Sequence, residues 1–297
     1  MFGPFCSYTT ENWDPMWLGS IFAASGAVPG SVLGLLLSLL YLLASLYVYI
    51  SLIYQISART RNTYGPEAAA TRTFGLPEAI LAALLILFLF LTIGASVSQP
   101  SIQFSARNLL ANFLLTGCVV LVIITFLQFR GFDVSSLGGF FRLSFIRTLS
   151  TGAVLLFFGY PLILLADAIT QRLFGGGGSS RQNIVEFFSG SRTIQQRVMI
   201  IVFAVAIAPV VEEFLFRFFI YGVLRRYFGR LLGVAFSALL FAAAHAHLPS
   251  FAPLFVLGSC FAIAYEWSGS ILVAMTMHSL FNSLTLTALA FPEIFSP

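Results

Sequence analysis

Two adjacent carboxylates and an arginine stand in the stretch Ala208-Pro-Val-Val-Glu-Glu-Phe-Leu-Phe-Arg217, inside an otherwise apolar run. Helical residues advance by about 100° each, so positions four apart share a face. The spacing predicts that Arg217 pairs with Glu213 and leaves Glu212 without an intrahelical partner. A buried carboxylate of that kind suits work as a general base or acid; a three-membered ion pair that only fixes helix packing is the alternative. Phe241-Ala-Ala-Ala-His245 sets an imidazole after three alanines, which let a neighbouring backbone approach closely. His245 is a candidate for acid–base chemistry or a hydrogen-bonded packing residue. His247, about 200° further round a helix, reads as interfacial. His278-Ser-Leu-Phe-Asn282 puts two polar side chains on one face, one turn apart. The pair suits donors to a single developing oxyanion and equally an interhelical polar link. Glu212, His245 and His278 also offer three ligands of the kinds zinc takes beside a water, although Arg217 opposes a dication and no HExxH occurs.

The elements that must position these groups are membrane helices. Of the 297 residues 59% are hydrophobic and 9% charged, against about 25% charged in soluble domains. So few charges cannot cover a soluble surface, and lipid is the solvent implied. A span needs about 20 apolar residues. Eight segments qualify, at approximately 30–54, 76–98, 109–129, 148–170, 197–224, 231–247, 250–267 and 270–290. The fold class expected is therefore an all-α polytopic transmembrane helix bundle of about eight spans. Ionisable residues inside a membrane are costly and call for a reason. They concentrate in the C-terminal half, whereas in the N-terminal half Asp167 lies near a helix end.

Arginines in the loops 55–75 and 130–147, and Arg225, Arg226 and Arg230 after the fifth span, fall on one side of an eight-span arrangement. The rule that positive loops stay inside makes that side cytoplasmic; the loop 171–196, with Arg172, Arg181 and Arg192, objects. Gly175 to Gly178 in that loop lack the Lys and preceding strand of a phosphate cradle and read as a flexible linker. It separates an N-terminal region, 1–196, from a C-terminal one, 197–290, and the two show no internal repeat. Cys6, Cys118 and Cys260 are far apart without CxxC spacing, so neither a disulfide framework nor a zinc knuckle is indicated. The arginines are scattered, which argues against nucleic acid as a partner. Residues 1–29 carry no Lys or Arg, so the basic region of a signal peptide is missing.

At ~1.5 Å of rise per residue, Glu212 lies roughly 20 Å from Arg225, His245 roughly 22 Å from Arg230, and Asn282 roughly 20 Å from Gly269, with His278 about one turn lower. Polar groups on three helices thus reach a similar depth.

In this order, EEFLFR at Glu212–Arg217, FAAAH at Phe241–His245 and HSLFN at His278–Asn282 resemble the EExxxR, FxxxH and HxxxN motifs of the CPBP family of intramembrane proteases. That family, also called Abi or CaaX protease and bacteriocin processing, includes the type II CaaX prenyl endopeptidase among its relatives. The resemblance covers about residues 197–290. Tyr265 to Ser270 also resembles the family's turn before the last motif helix, although Glu266 stands where a basic residue is frequent. The resemblance implies a glutamic-type intramembrane endopeptidase in which Glu212 activates water together with His245. It implies further that His278 and Asn282 steady the oxyanion, and that Glu213, Arg217 and Phe241 support the site. No metal or other cofactor is expected, zinc being the alternative. The implied partners are membrane lipid and a peptide or membrane-protein substrate, one with a lipid-modified C-terminus included. The implied location is a bacterial or archaeal cytoplasmic membrane, and residues 1–196 match nothing further. A zinc peptidase using the same residues, a transporter, and a non-catalytic immunity protein on this fold are the competing readings.

Overall fold

The computed structural model describes residues 32–62, 73–98, 106–174 and 193–291. The Gly175–Gly178 linker and residues 1–29 lie outside them. The described chain is helical: α1 Val32–Asn62, α2 Leu76–Ser98, α3 Ala106–Phe129, the short α4 Val134–Leu137, α5 Phe145–Phe174, α6 Ile194–Ala244, α7 Phe251–Ser268 and α8 Ile271–Ala290. All but α4 are long and apolar enough to cross a membrane. Their outer faces carry Leu, Ile and Phe side chains that only lipid would cover.

The 51 residues of α6 would reach roughly 76 Å if straight, more than twice the hydrocarbon thickness of about 30 Å. The helix instead breaks at Gly229, whose φ of 79° and ψ of 176° suit no other residue well. The two legs fold back on each other. Ser237 donates to the Phe216 carbonyl at 2.8 Å, and a side chain at Gly233 would stand 3.0 Å from the Arg225 backbone. With its two legs counted separately, the described residues supply the eight legs expected, and the fifth and sixth expected spans are one hairpin. The second leg ends at Ala244 rather than at 247. His245 is its cap, Ala246 takes a φ of 49°, and a single 3-10 turn, Leu248–Ser250, leads into α7. Pro249 has no N–H to bond the His245 carbonyl four residues back and its ring would clash there, so the leg cannot run on through it.

The second leg packs on α7, α7 and α8 pack on α5, and α1 closes the outer side of α5. Arg59, Arg142, Arg225 and Arg230 gather at one end of this bundle, around the end of α7. Arg225 and Arg230 both bind Glu266, each at 2.8 Å, and the Tyr221 hydroxyl donates to the same carboxylate at 2.7 Å. Arg59 donates to the Trp267 carbonyl at 2.9 Å. Next to them a Cβ on Gly139 would fall 1.9 Å from the Gly269 carbonyl oxygen, so the loop after α4 seats directly on the α7–α8 turn.

Candidate active site

Glu212 and Glu213 sit on the first leg of α6 in an ordinary α-helical stretch, Ala208–Glu213, flanked by two π-helical ones, Val202–Ile207 and Phe214–Ile220. Pro209 accounts for the first. The N–H of Ala208 bonds to the Phe203 carbonyl five residues back. The next bond in that register would run from residue 209 to Ala204, and proline has no N–H. Asn282 of α8 supplies the missing donor: its Nδ2 stands 2.7 Å from the Ala204 carbonyl oxygen. Wide turns of this kind recur at functional sites.

The expected pair forms. Arg217 reaches Glu213 Oε1 at 3.0 Å, and both side chains are fully buried. A second nitrogen of Arg217 donates to the Gly258 carbonyl of α7 at 3.2 Å, and the guanidinium lies over the Phe241 ring at 4.1 Å and near Phe261 at 5.2 Å. One side chain thereby ties the first leg, the second leg and α7 together by charge, hydrogen bond and cation–π contact. Spacing alone could not reveal Gly258 or Phe261, because both belong to a helix with no motif residue.

His278 of α8 lies inside this framework. Its Nδ1 is 2.8 Å from Glu213 Oε1, and its ring stacks on Phe261 and meets Phe241 edge-on. His245 is held by its own helix, with Nδ1 2.8 Å from the Phe241 carbonyl. Both anchors leave Nε2 pointing at Glu212: His245 Nε2 and His278 Nε2 are each 4.0 Å from Glu212 Oε2. That distance exceeds a hydrogen bond, and Oε2 is buried without a hydrogen-bond partner. The structure therefore brings Glu212, Glu213, Arg217, Phe241, His245 and His278 into one cluster. Asn282, a turn along α8, is bound to the π-helical segment of α6. His247 stays apart, with Nδ1 2.7 Å from the Ser250 hydroxyl.

Three basic acceptors thus converge on one spot, with the Glu212 and His245 side chains about a quarter to a third exposed and the remainder sealed. An arrangement of this kind can orient and deprotonate a polar molecule such as water. The donor types are also those of a zinc site. However, the 4.0 Å separations are open, and among the described residues no group of three or more His, Cys, Asp and Glu side chains could hold a metal ion.

Fold and site define a multi-pass integral membrane protein whose ionisable residues meet in a buried cluster. Residues 194–284 match the family model described as "Type II CAAX prenyl endopeptidase Rce1-like". The matched segment is similar to that protease family and contains all three motifs that carry the CPBP resemblance. No curated protein and no solved structure matches the chain.

Proposed function

We propose that this protein is an intramembrane endopeptidase of the glutamic type. A water in front of Glu212 loses a proton to its carboxylate, with His245 orienting it, and attacks the carbonyl carbon of a peptide bond. Asn282, which keeps a second amide N–H, bears on the oxygen that becomes negative, and His278 stands against the same reacting group with Nε2 toward Glu212. The observation that supports this reading most is the convergence of His245 Nε2 and His278 Nε2 on Glu212 Oε2, 4.0 Å from each. A bridging water fits such a gap better than direct bonding does. The donor types keep the zinc peptidase as a second reading. The substrate class is a peptide bond in a membrane-embedded or membrane-anchored protein, and the likeness to a CAAX prenyl endopeptidase makes a lipid-modified C-terminus the first to try. A bacterial or archaeal cytoplasmic membrane, with the arginine-rich end inward, is the proposed setting. The test is cleavage of a peptide library by the purified protein in detergent, with and without Glu212→Ala. Cleavage that survives the substitution overturns the assignment.

A further inference from the structure

We propose that His278 is the general acid that protonates the leaving amine, and that Glu213 is the positioning residue that prepares it for this. The inference rests on the glutamic reading above. The hydrogen-bond partners carry it. Glu213 Oε1 already accepts from Arg217 at 3.0 Å and can only accept again from His278 Nδ1 at 2.8 Å. The proton of the neutral ring is therefore on Nδ1, and Nε2 presents a lone pair. The Phe241 carbonyl imposes the same tautomer on His245 at 2.8 Å. Neither ring, while neutral, can donate to an oxyanion through Nε2. His278 becomes a donor only after taking a proton there.

The anchors of the two rings differ. Glu213 is a carboxylate and supports positive charge on His278, as the carboxylate of an acyl-transfer triad supports its imidazolium. A backbone carbonyl supports His245 less. His278 is also the more fixed ring: 5% of its side chain is exposed, against 26% for His245, and it stacks on Phe261 with centroids 5.1 Å apart.

The proton inventory closes on this assignment. Glu212 takes one proton from water as the new C–O bond forms and the carbonyl electron pair moves to oxygen. Glu212 passes that proton to His278 Nε2. The electron pair returns, the C–N bond breaks with its electrons on nitrogen, and His278 gives the proton to that nitrogen. The second hydrogen of the water stays on the new carboxyl group, and both Glu212 and His278 end as they began.

An amide needs its leaving nitrogen protonated, whereas an ester with a nitrophenolate leaving group does not. The full-length protein in detergent is assayed on a peptide and on the matching nitrophenyl ester, with turnover expressed per folded molecule. His278→Gln is expected to lower peptide cleavage by about 10²–10⁴ and to leave ester cleavage near the wild-type value. Glu213→Gln is expected to show the same selective loss, and Glu213→Asp to recover part of the peptide cleavage. Equal loss on both substrates in His278→Gln overturns the proposal and returns His278 to a donor or packing role. Should Glu213→Gln fail to fold, the His278→Gln comparison decides alone. Glu212→Gln separates the two levels: it should abolish both cleavages, and if both survive in it, the glutamic reading itself fails.

Discussion

Asn282 Nδ2 stands 2.7 Å from the carbonyl oxygen of Ala204, the group that Pro209 has no N–H to reach. One amide on α8 thereby repairs a hydrogen bond missing from α6, three residues before Glu212. The link is local in space although 78 positions separate the partners in sequence. It gives Asn282 a structural task alongside the proposed oxyanion role, and the two are separable.

Asn282→Ala should cost about 1 kcal/mol of stability as one net hydrogen bond and also lower turnover. Pro209→Ala restores a backbone N–H that can take over the bond. The double variant should therefore recover the stability lost in Asn282→Ala when thermal unfolding in detergent is followed. Whatever loss of turnover per folded molecule persists measures the oxyanion contribution, expected at roughly 10²–10³. Full recovery of turnover as well would leave Asn282 a purely positioning residue.

Glu212→Gln should abolish cleavage with little change in folding, since an amide cannot take a proton from water. The isosteric swap leaves the helix intact, and the Oε2 position makes no hydrogen bond that could be lost. Near-normal turnover of an assayable substrate by this variant would remove Glu212 from the chemistry.

The Glu213–Arg217 pair was legible from four-residue spacing, and the meeting of polar groups from three helices was legible, to within a turn, from the residue counts. Both follow from the helix repeat alone. Those counts set Asn282 level with Glu212 and His278 a turn lower, whereas His278 is the one beside Glu212 and Asn282 binds Ala204. The π-helical segments were not legible, because the 100° step assumes a regular ladder. Whether the ladder widens at Pro209 depends on a donor arriving from another helix. His245 was placed inside a helix and is its cap; Pro249, which has no N–H for the His245 carbonyl, carried the signal for that early stop. Glu266 read as a departure from the family pattern. Its partners Arg225 and Arg230 are near one another only because Gly229 folds α6 back. Phe261 and Gly258 carried no signal at all in a helix that is apolar all round.

Removing Glu213 alone should be far more harmful than removing the pair. Glu213→Leu leaves Arg217 with the Gly258 carbonyl, aromatic faces and the more distant charge of Glu212, and breaking a buried pair in this way costs about 3–5 kcal/mol. Adding Arg217→Met removes the uncompensated charge and should return much of that loss, although His278 stays without its acceptor. Unfolding of the single and double variants in detergent checks the order. A double variant less stable than Glu213→Leu would contradict it.

Cleavage should survive exhaustive treatment with a strong zinc chelator, and purified protein should lack stoichiometric metal. The reason is charge: the fully buried Arg217 guanidinium, paired with Glu213 next to the cluster, opposes a dication there. Activity lost on chelation and restored by zinc, with metal content measured in parallel, would favour the zinc peptidase over the glutamic one.

Gly229→Ala tests the hairpin that brings His245 beside Glu212. A Cβ at Gly229 would meet nothing within 4 Å, so no clash opposes the substitution. The opposition is conformational, because a φ of 79° with a ψ of 176° lies in a region essentially reserved for glycine. Holding an alanine there costs about 1–3 kcal/mol. The Glu266 bonds to Arg225 and Arg230, one on either side of the turn, resist its opening. Gly229→Ala alone should therefore lower the unfolding temperature while the folded fraction keeps its specific activity. Gly229→Ala with Glu266→Gln should lose more than the sum of the two, since the clamp that withstands the strain is weakened by the second change. Gly117→Ala is the control: it too meets nothing within 4 Å, but it lies inside α3 at ordinary helical φ, where alanine is the better helix former. A Gly229→Ala protein as stable as wild type would mean that the hairpin adopts another backbone path at residue 229.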